Sequence, residues 1–188
     1  MKGPAPRFTN LHVWKTMHNI AENKIISRKK LTKKVGVGEG SIRTILTLLK
    51  KKNFVKTTQL GVSLTEKGKK FLSNYKIKIL RIDAKKISVG KYAVAAFIKN
   101  RVHKIRYGLE QRDEAIKNGA TGATTIIYRS GKLAAPGITD NLKRDYSDVA
   151  EQIFSKFEIG NNDVVIIGSG NSLKKAEDGA VAGALSLF

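Results

Sequence analysis

The chain reads as an α+β protein of two domains: a helical N-terminal domain closed by a β-hairpin, then a C-terminal α/β sandwich with a mixed sheet. Three observations predict this. Residues 26–55 (ISRKKLTKKVGVGEGSIRTILTLLKKKNFV) hold two short helical stretches joined by glycines and run directly into strand-forming residues. Beyond residue 90, apolar runs of strand length alternate with amphipathic helical ones, as in a layered arrangement whose sheet is at least partly parallel. Charge divides the chain near the same point, with 20 Lys+Arg against 4 Asp+Glu up to Asp83 and 16 against 11 from Ala84 onward. We place the boundary after residue 78, giving domains over residues 1–78 and 79–188.

Composition narrows the function classes. With 41% hydrophobic residues in 188, the chain has material for packed cores. No apolar run approaches the ~18–20 residues that span a bilayer, and the opening MKGPAPRF lacks the apolar centre of a signal peptide, so a cytoplasmic protein with no membrane partner is expected. The absence of cysteine excludes disulfides and thiolate metal sites. His12, His18 and His103 do not stand at ligand spacing, so no metal or cofactor is predicted. A net charge of +21, concentrated in the first part, points to a polyanionic partner.

In the first domain, Leu11, Trp14, Met17, His18 and Ala21 recur at helical spacing and predict a helix over residues 7–23, with His18 as a satisfied histidine on the apolar side. Ile25 and Ile26 suggest a short strand. Ser27 is an N-cap residue for a second helix over residues 28–35. Lys30 stands where a capping box would have Glu or Gln. Arg28, Lys29 and Lys30 crowd its first turn, where the helix dipole makes each cation unfavourable by roughly a few tenths of a kcal/mol. Facing phosphates would offset that cost, and Lys33 and Lys34 extend the same surface; a solvated lysine-rich face is the alternative.

Gly36, Gly38 and Gly40 suit a tight interhelical turn. Over residues 41–52, Ile42, Ile45, Leu46 and Leu49 follow the helical template, while Gly40, Arg43, Thr44, Thr47 and Lys51 lie opposite. An arginine there can pair bidentately with guanine, worth ~1–3 kcal/mol of discrimination. Lys50, Lys51 and Lys52 suit phosphates and the helix C-terminus. Asn53 is read as the C-cap. Residues 54–58 and 62–64 then form a hairpin turning through Gln59-Leu60-Gly61, a wing whose tip carries no cation, with Lys56 positioned for backbone contact. Thr65 caps a further helix in LTEKGKKFL.

The arrangement over residues 26–72 resembles the winged helix-turn-helix of archaeal and bacterial marR-like transcription regulators. That resemblance implies that the third helix reads the major groove, with Ser41, Arg43, Thr44 and Thr47 as the base-facing set. It covers a little over a third of the chain.

In the second domain, strands are expected over residues 92–98, 123–128 and 163–167. Helices are expected over residues 109–118, 141–157 and 173–187. Two features suggest a ligand. Gly168-Ser169-Gly170 lies between a strand and a helix and could present amides to an anion, although no dinucleotide or Walker pattern accompanies it and a tight connection is the plainer reading. Arg106, Gln111 and Arg112 precede or open a helix and suit a polar ligand, or else a mutually paired charge cluster. The small residues of AEDGAVAGALSL suit close packing against the sheet or a second subunit. GLEQRDEAIKNGATGATT and IIGSG…AEDGAVAGA resemble an archaeal domain of uncharacterised function found behind winged helices. This implies an effector or dimerisation role and no activity.

No nucleophile–base pair stands out, so no enzyme is predicted. The expectation is a homodimeric, sequence-specific regulator of double-stranded DNA with an anionic or polar small-molecule effector. Sequence-independent nucleic-acid binding driven by charge is the alternative, and an enzyme using the glycine turn as a phosphate cradle is a third.

Overall fold

In the computed structural model, residues 8–188 are described. The chain divides into two compact units, Met1–Tyr75 and Lys76–Phe188. The first 7 residues, which include all but Phe8 of the segment read for a signal peptide and Arg7 of the expected first helix, lie outside the described residues.

The first unit is built on α1 (Asn10–Asn23), α2 (Arg28–Val35), α3 (Glu39–Lys51) and α4 (Glu66–Leu72), with a hairpin of β1 (Val55–Thr58) and β2 (Gly61–Leu64) between α3 and α4. This is the order of a winged helix-turn-helix. Thr9 caps α1, and His12 takes the place of the usual capping-box glutamate: its Nδ1 lies 3.0 Å from the Thr9 N–H. His18 is half-buried and stacks on Trp14 at 4.6 Å between centroids. Ser27 Oγ accepts from the Lys30 N–H at 3.3 Å, so α2 begins where the N-cap residue dictates. Ile42, Ile45, Leu46 and Leu49 of α3 are all buried, packed with Met17, Ile20, Leu31 and Val35 of the first two helices. Each such side chain contributes roughly 1.5–3 kcal/mol on burial.

Ile26 forms a single bridge to Val62, donating to its carbonyl at 3.0 Å and accepting its N–H at 2.9 Å, which ties the chain ahead of α2 to the hairpin. Thr65 Oγ1 donates to the Asn53 carbonyl at 2.7 Å, seating α4 at the junction of α3 and β1. A side chain at Gly68 would overlap the Phe54 carbonyl, so only glycine lets α4 lie this close.

The second unit is a five-stranded sheet with helices on both faces. Its strands are β3 (Ile77–Arg81), β4 (Tyr92–Ile98), β5 (Gly122–Arg129), β6 (Lys132–Ala134) and β7 (Val164–Gly170), and its helices are α5 (Leu109–Lys117), α6 (Leu142–Asp145), α7 (Ser147–Lys156) and α8 (Leu173–Leu185). The spatial order is β3-β4-β7-β5-β6, and every neighbouring pair is antiparallel. This corrects the expected mixed sheet. Strands β4 and β5 do run the same way, as a strand–helix–strand crossover demands, but β7 inserts between them and opposes both. The domain boundary also moves from residue 78 to residue 75, because Ile77 and Lys78 pair with Ile98 and Phe97 of the second unit.

One face of the sheet packs Val94, Ala96 and Ile166 against Ala176, Ala180 and Ala184 of α8. The other packs Phe97, Ile126, Val165 and Ile167 against Val149, Ile153 and Phe157, on and after α7. The helix expected over residues 141–157 is broken: Tyr146 takes φ −143, ending α6 before α7 begins. Among the described residues, no helix is long and apolar enough to cross a membrane, and no cluster of His, Asp and Glu is suited to a metal ion.

Candidate nucleic-acid interface

The α2–α3 turn sets the geometry. Gly36 adopts φ 79, ψ 33 and donates to the Thr32 carbonyl at 3.0 Å, ending α2 in the left-handed conformation that glycine favours. Gly36 alone of the three turn glycines needs positive φ. Gly38 caps α3 at φ −63, and Gly40 belongs to the helix itself. α3 starts at Glu39, two residues earlier than expected, and that extra stretch places Gly40 on its surface. A Cβ at Gly40 would meet nothing within 4 Å. The exposed face is therefore flat at its N-terminal end.

Along α3, Arg43, Thr44, Thr47 and Lys51 are exposed, whereas Ser41 is half-buried. Thr44 Oγ1 donates to the Gly40 carbonyl and Thr47 Oγ1 to the Arg43 carbonyl, each at 3.0 Å. Their hydroxyl protons are thus committed to the helix backbone, leaving lone pairs and methyl groups outward. The Arg43 guanidinium makes no hydrogen bond or ion pair with another described residue. Leu48, 44% exposed, sits one turn beyond Thr44 on the same side. The periodicity did not single it out, because an apolar residue just off the buried stripe reads as an extension of the core.

Arg28, Lys29, Lys30, Lys33 and Lys34 of α2 are all exposed, as are Lys50, Lys51 and Lys52 at the end of α3. None of them forms an ion pair with a described residue. Lys56 on β1 is exposed and close enough to Glu66 for its charge to help hold that carboxyl below its ordinary range, after the larger effects of the Lys69 hydrogen bond and charge. The Met1–Tyr75 stretch holds 17 Lys+Arg and 3 Asp+Glu, so carboxylates are too few to neutralise it. At the hairpin tip, Leu60 is 80% exposed and Gly61 takes φ 140. The tip, Gln59-Leu60-Gly61, is uncharged.

The residues expected to hold a small ligand in the second unit do not come together. Gly168, Ser169 and Gly170 are the last residues of β7, not a turn. Gly168 pairs with Val94 on one side and Ala123 on the other, and Ser169 with Ala93 and Gly122. All three are buried, and a side chain at Gly168 would overlap the α8 backbone at Ala176 and Ala180. These glycines serve helix–sheet contact within the strand, and they form neither the tight connection nor the turn from which amides would face an anion. Gln111 is 2% exposed and donates to Ser186 Oγ at 3.0 Å, facing α8. Arg112 is exposed and pairs with its neighbour Asp113 at 3.3 Å, and Arg106 is exposed in the loop before α5. Adjacent positions on a helix point about 100° apart, which is why Gln111 and Arg112 cannot share a ligand. The small residues of α8 are likewise used within the unit, Gly179 against Ala120 and Gly183 against Ile166 and Gln111.

Residues 89–187 match the sequence profile of a domain of unknown function (DUF4443). Residues 12–79 match that of the CggR N-terminal DNA binding domain. Among solved structures, the hypothetical protein PH0730 from Pyrococcus horikoshii OT3 is similar at a TM-score of 0.70 and 26% identity, over 96% of this chain and 93% of that one. A comparison with curated proteins finds no match.

Proposed function

The chain belongs to the family of the domain of unknown function DUF4443, and from that premise we propose that it is a sequence-specific, double-stranded DNA-binding transcription regulator. The observation that carries this reading is the exposed face of α3, with an unpaired Arg43, in a segment similar to the CggR N-terminal DNA binding domain. In this reading α3 enters the major groove, Arg43 pairs with a base edge, and the methyl groups of Thr44 and Thr47 meet thymine methyls. Lysines 29, 30, 33 and 34 with Arg28 contact phosphates on the flank, and Lys51 and Lys56 do so at the far end. The marR-like form of the module and an archaeal origin belong to the same proposal. The order of helices and hairpin supports the first, and the likeness to a Pyrococcus horikoshii chain supports the second. The second unit pairs two copies, responds to a small molecule, or does both, and performs no catalysis.

The test is to recover bound fragments from the host genome and compete the resulting site against random duplex at physiological salt. A regulator keeps its preference, with half-sites about 10 base pairs apart if it is a homodimer. Equal competition by random duplex would refute the reading. The sequence-independent alternative, favoured by the +21 charge and the cation-free hairpin tip, would then stand.

A further inference from the structure

The second unit contains a cavity of about 220 Å³ beside the segment joining β3 to β4. That is room for roughly seven waters, or a small organic molecule, and lies below the usual span of drug-sized pockets. Its walls are held in place. Gln152 clamps Asp83 from both directions, accepting its N–H at 2.9 Å and donating to its carbonyl at 2.8 Å. Thr124 Oγ1 donates to the Ile87 carbonyl at 2.7 Å, and Lys86 Nζ lies 2.7 Å from Asp148 Oδ2. Gly90 lies so close to Gly170 and Thr121 that a Cβ there would come within 2.8 Å of each.

The lining is divided by chemistry. Ile82, Ala84, Ala93 and Leu173 give apolar walls, while Arg81, Lys85 and Lys91 bring positive charge. Lys85 is partly matched by Asp83 at 3.7 Å, and Lys91 Nζ rests 5.7 Å from the Tyr92 ring centroid. The Arg81 guanidinium has no hydrogen-bonding or ionic partner among the described residues. The Ser88 hydroxyl, also in the lining, is buried with no partner in the protein. A buried hydroxyl left without a partner is costly, and a ligand group or water reaching it from the cavity would relieve that cost.

We propose that this cavity binds a small organic anion, with an oxyanion head on Arg81, Lys91 and the Ser88 hydroxyl and a short hydrocarbon body against Ala93 and Leu173. It gives the proposed small-molecule response of the second unit a definite place and rests on that reading only for its consequence, since binding itself requires no DNA.

The experiment titrates the full chain, without DNA, with hexanoate, hexyl phosphate, hexanol and inorganic phosphate by calorimetry. Saturable one-site binding of hexanoate or hexyl phosphate is expected, with hexanol and inorganic phosphate far weaker; the tighter of the two anions identifies the head as carboxylate or phosphate. Loss of a charge-assisted hydrogen bond in Arg81→Gln should weaken binding about 10- to 100-fold. Ala93→Leu should fill the cavity and abolish binding, while Lys143→Gln, outside the cavity, should change nothing. The proposal is overturned if neither anion binds saturably at millimolar concentration, or if hexanol or inorganic phosphate binds as well as the anions. Wild-type affinity in Arg81→Gln and Ala93→Leu would overturn it too. Any of these results leaves DNA binding by the first unit untouched.

Discussion

Substituting Gly40 by alanine separates folding from binding, because the two should move in opposite directions. Gly40 lies in the first turn of α3, and a Cβ there meets nothing within 4 Å. The unfolded chain loses freedom and the helix gains a better former, so the first unit should be stabilised by about 0.4–1 kcal/mol. For a unit of this size that is a rise of about 2–8 °C in melting temperature. Trp14 is the chain's single tryptophan and is buried in the first unit, so its fluorescence reports that unit alone. If the flat end of α3 lies against DNA, the added methyl crowds the interface, and affinity should fall by about 1–3 kcal/mol, roughly 5- to 150-fold. Fluorescence anisotropy on the recovered site reads this directly. A stabilised variant that binds as tightly as the wild type would refute the placement of Gly40 against DNA. A destabilised variant would refute the open geometry at Gly40.

Arg43→Ala should cost ~1–3 kcal/mol on the specific site and less on random duplex; equal losses on both, measured by competition, would remove Arg43 from base reading. Lys30→Ala should weaken all duplexes alike and flatten the slope of log affinity against log salt by about 0.9, and an unchanged slope would argue against phosphate contact. Gly168→Ala should destabilise the second unit by about 1–3 kcal/mol or more in calorimetry, because its Cβ overlaps backbone that cannot swing aside; a neutral result would contradict the closeness of β7 to α8. The Asp145 carboxyl is held down to about 2, first by the hydrogen bond from Arg144 and then by that from Thr139. A folded-state value below the ordinary one favours the folded form above about pH 4. That contribution should fade as pH falls through about 2, and an acid titration of Asp145→Asn should lack this component.

The first unit was legible residue by residue because its signals are local. Ser27 and Thr65 are caps, and the side chain of each accepts the expected backbone N–H. The four buried residues of α3 follow a single period. The second unit was less legible because its decisive features are long-range. Nothing near Val164 in sequence says that this strand will sit between β4 and β5. The GSG motif misled for a similar reason: glycine permits a turn, but it equally permits a helix to press on a strand, and only Ala176 and Ala180, several residues on, decide which. Tyr146 interrupted a helix whose apolar spacing runs through without a break, so the spacing carried no mark of the interruption. Lys132–Ala134 is too short to show a period. The cavity at Arg81 was invisible because its lining comes from β3, β4, the loop between them and the first residue of α8.

The placement of β7 has a consequence for synthesis. On the ribosome, β4 and β5 emerge as strands with no partner between them, exposing apolar faces and unpaired edges until residues 164–170 follow. The first unit is compact in itself and can close early, while the second must wait for its keystone strand and then pair it on both sides at once.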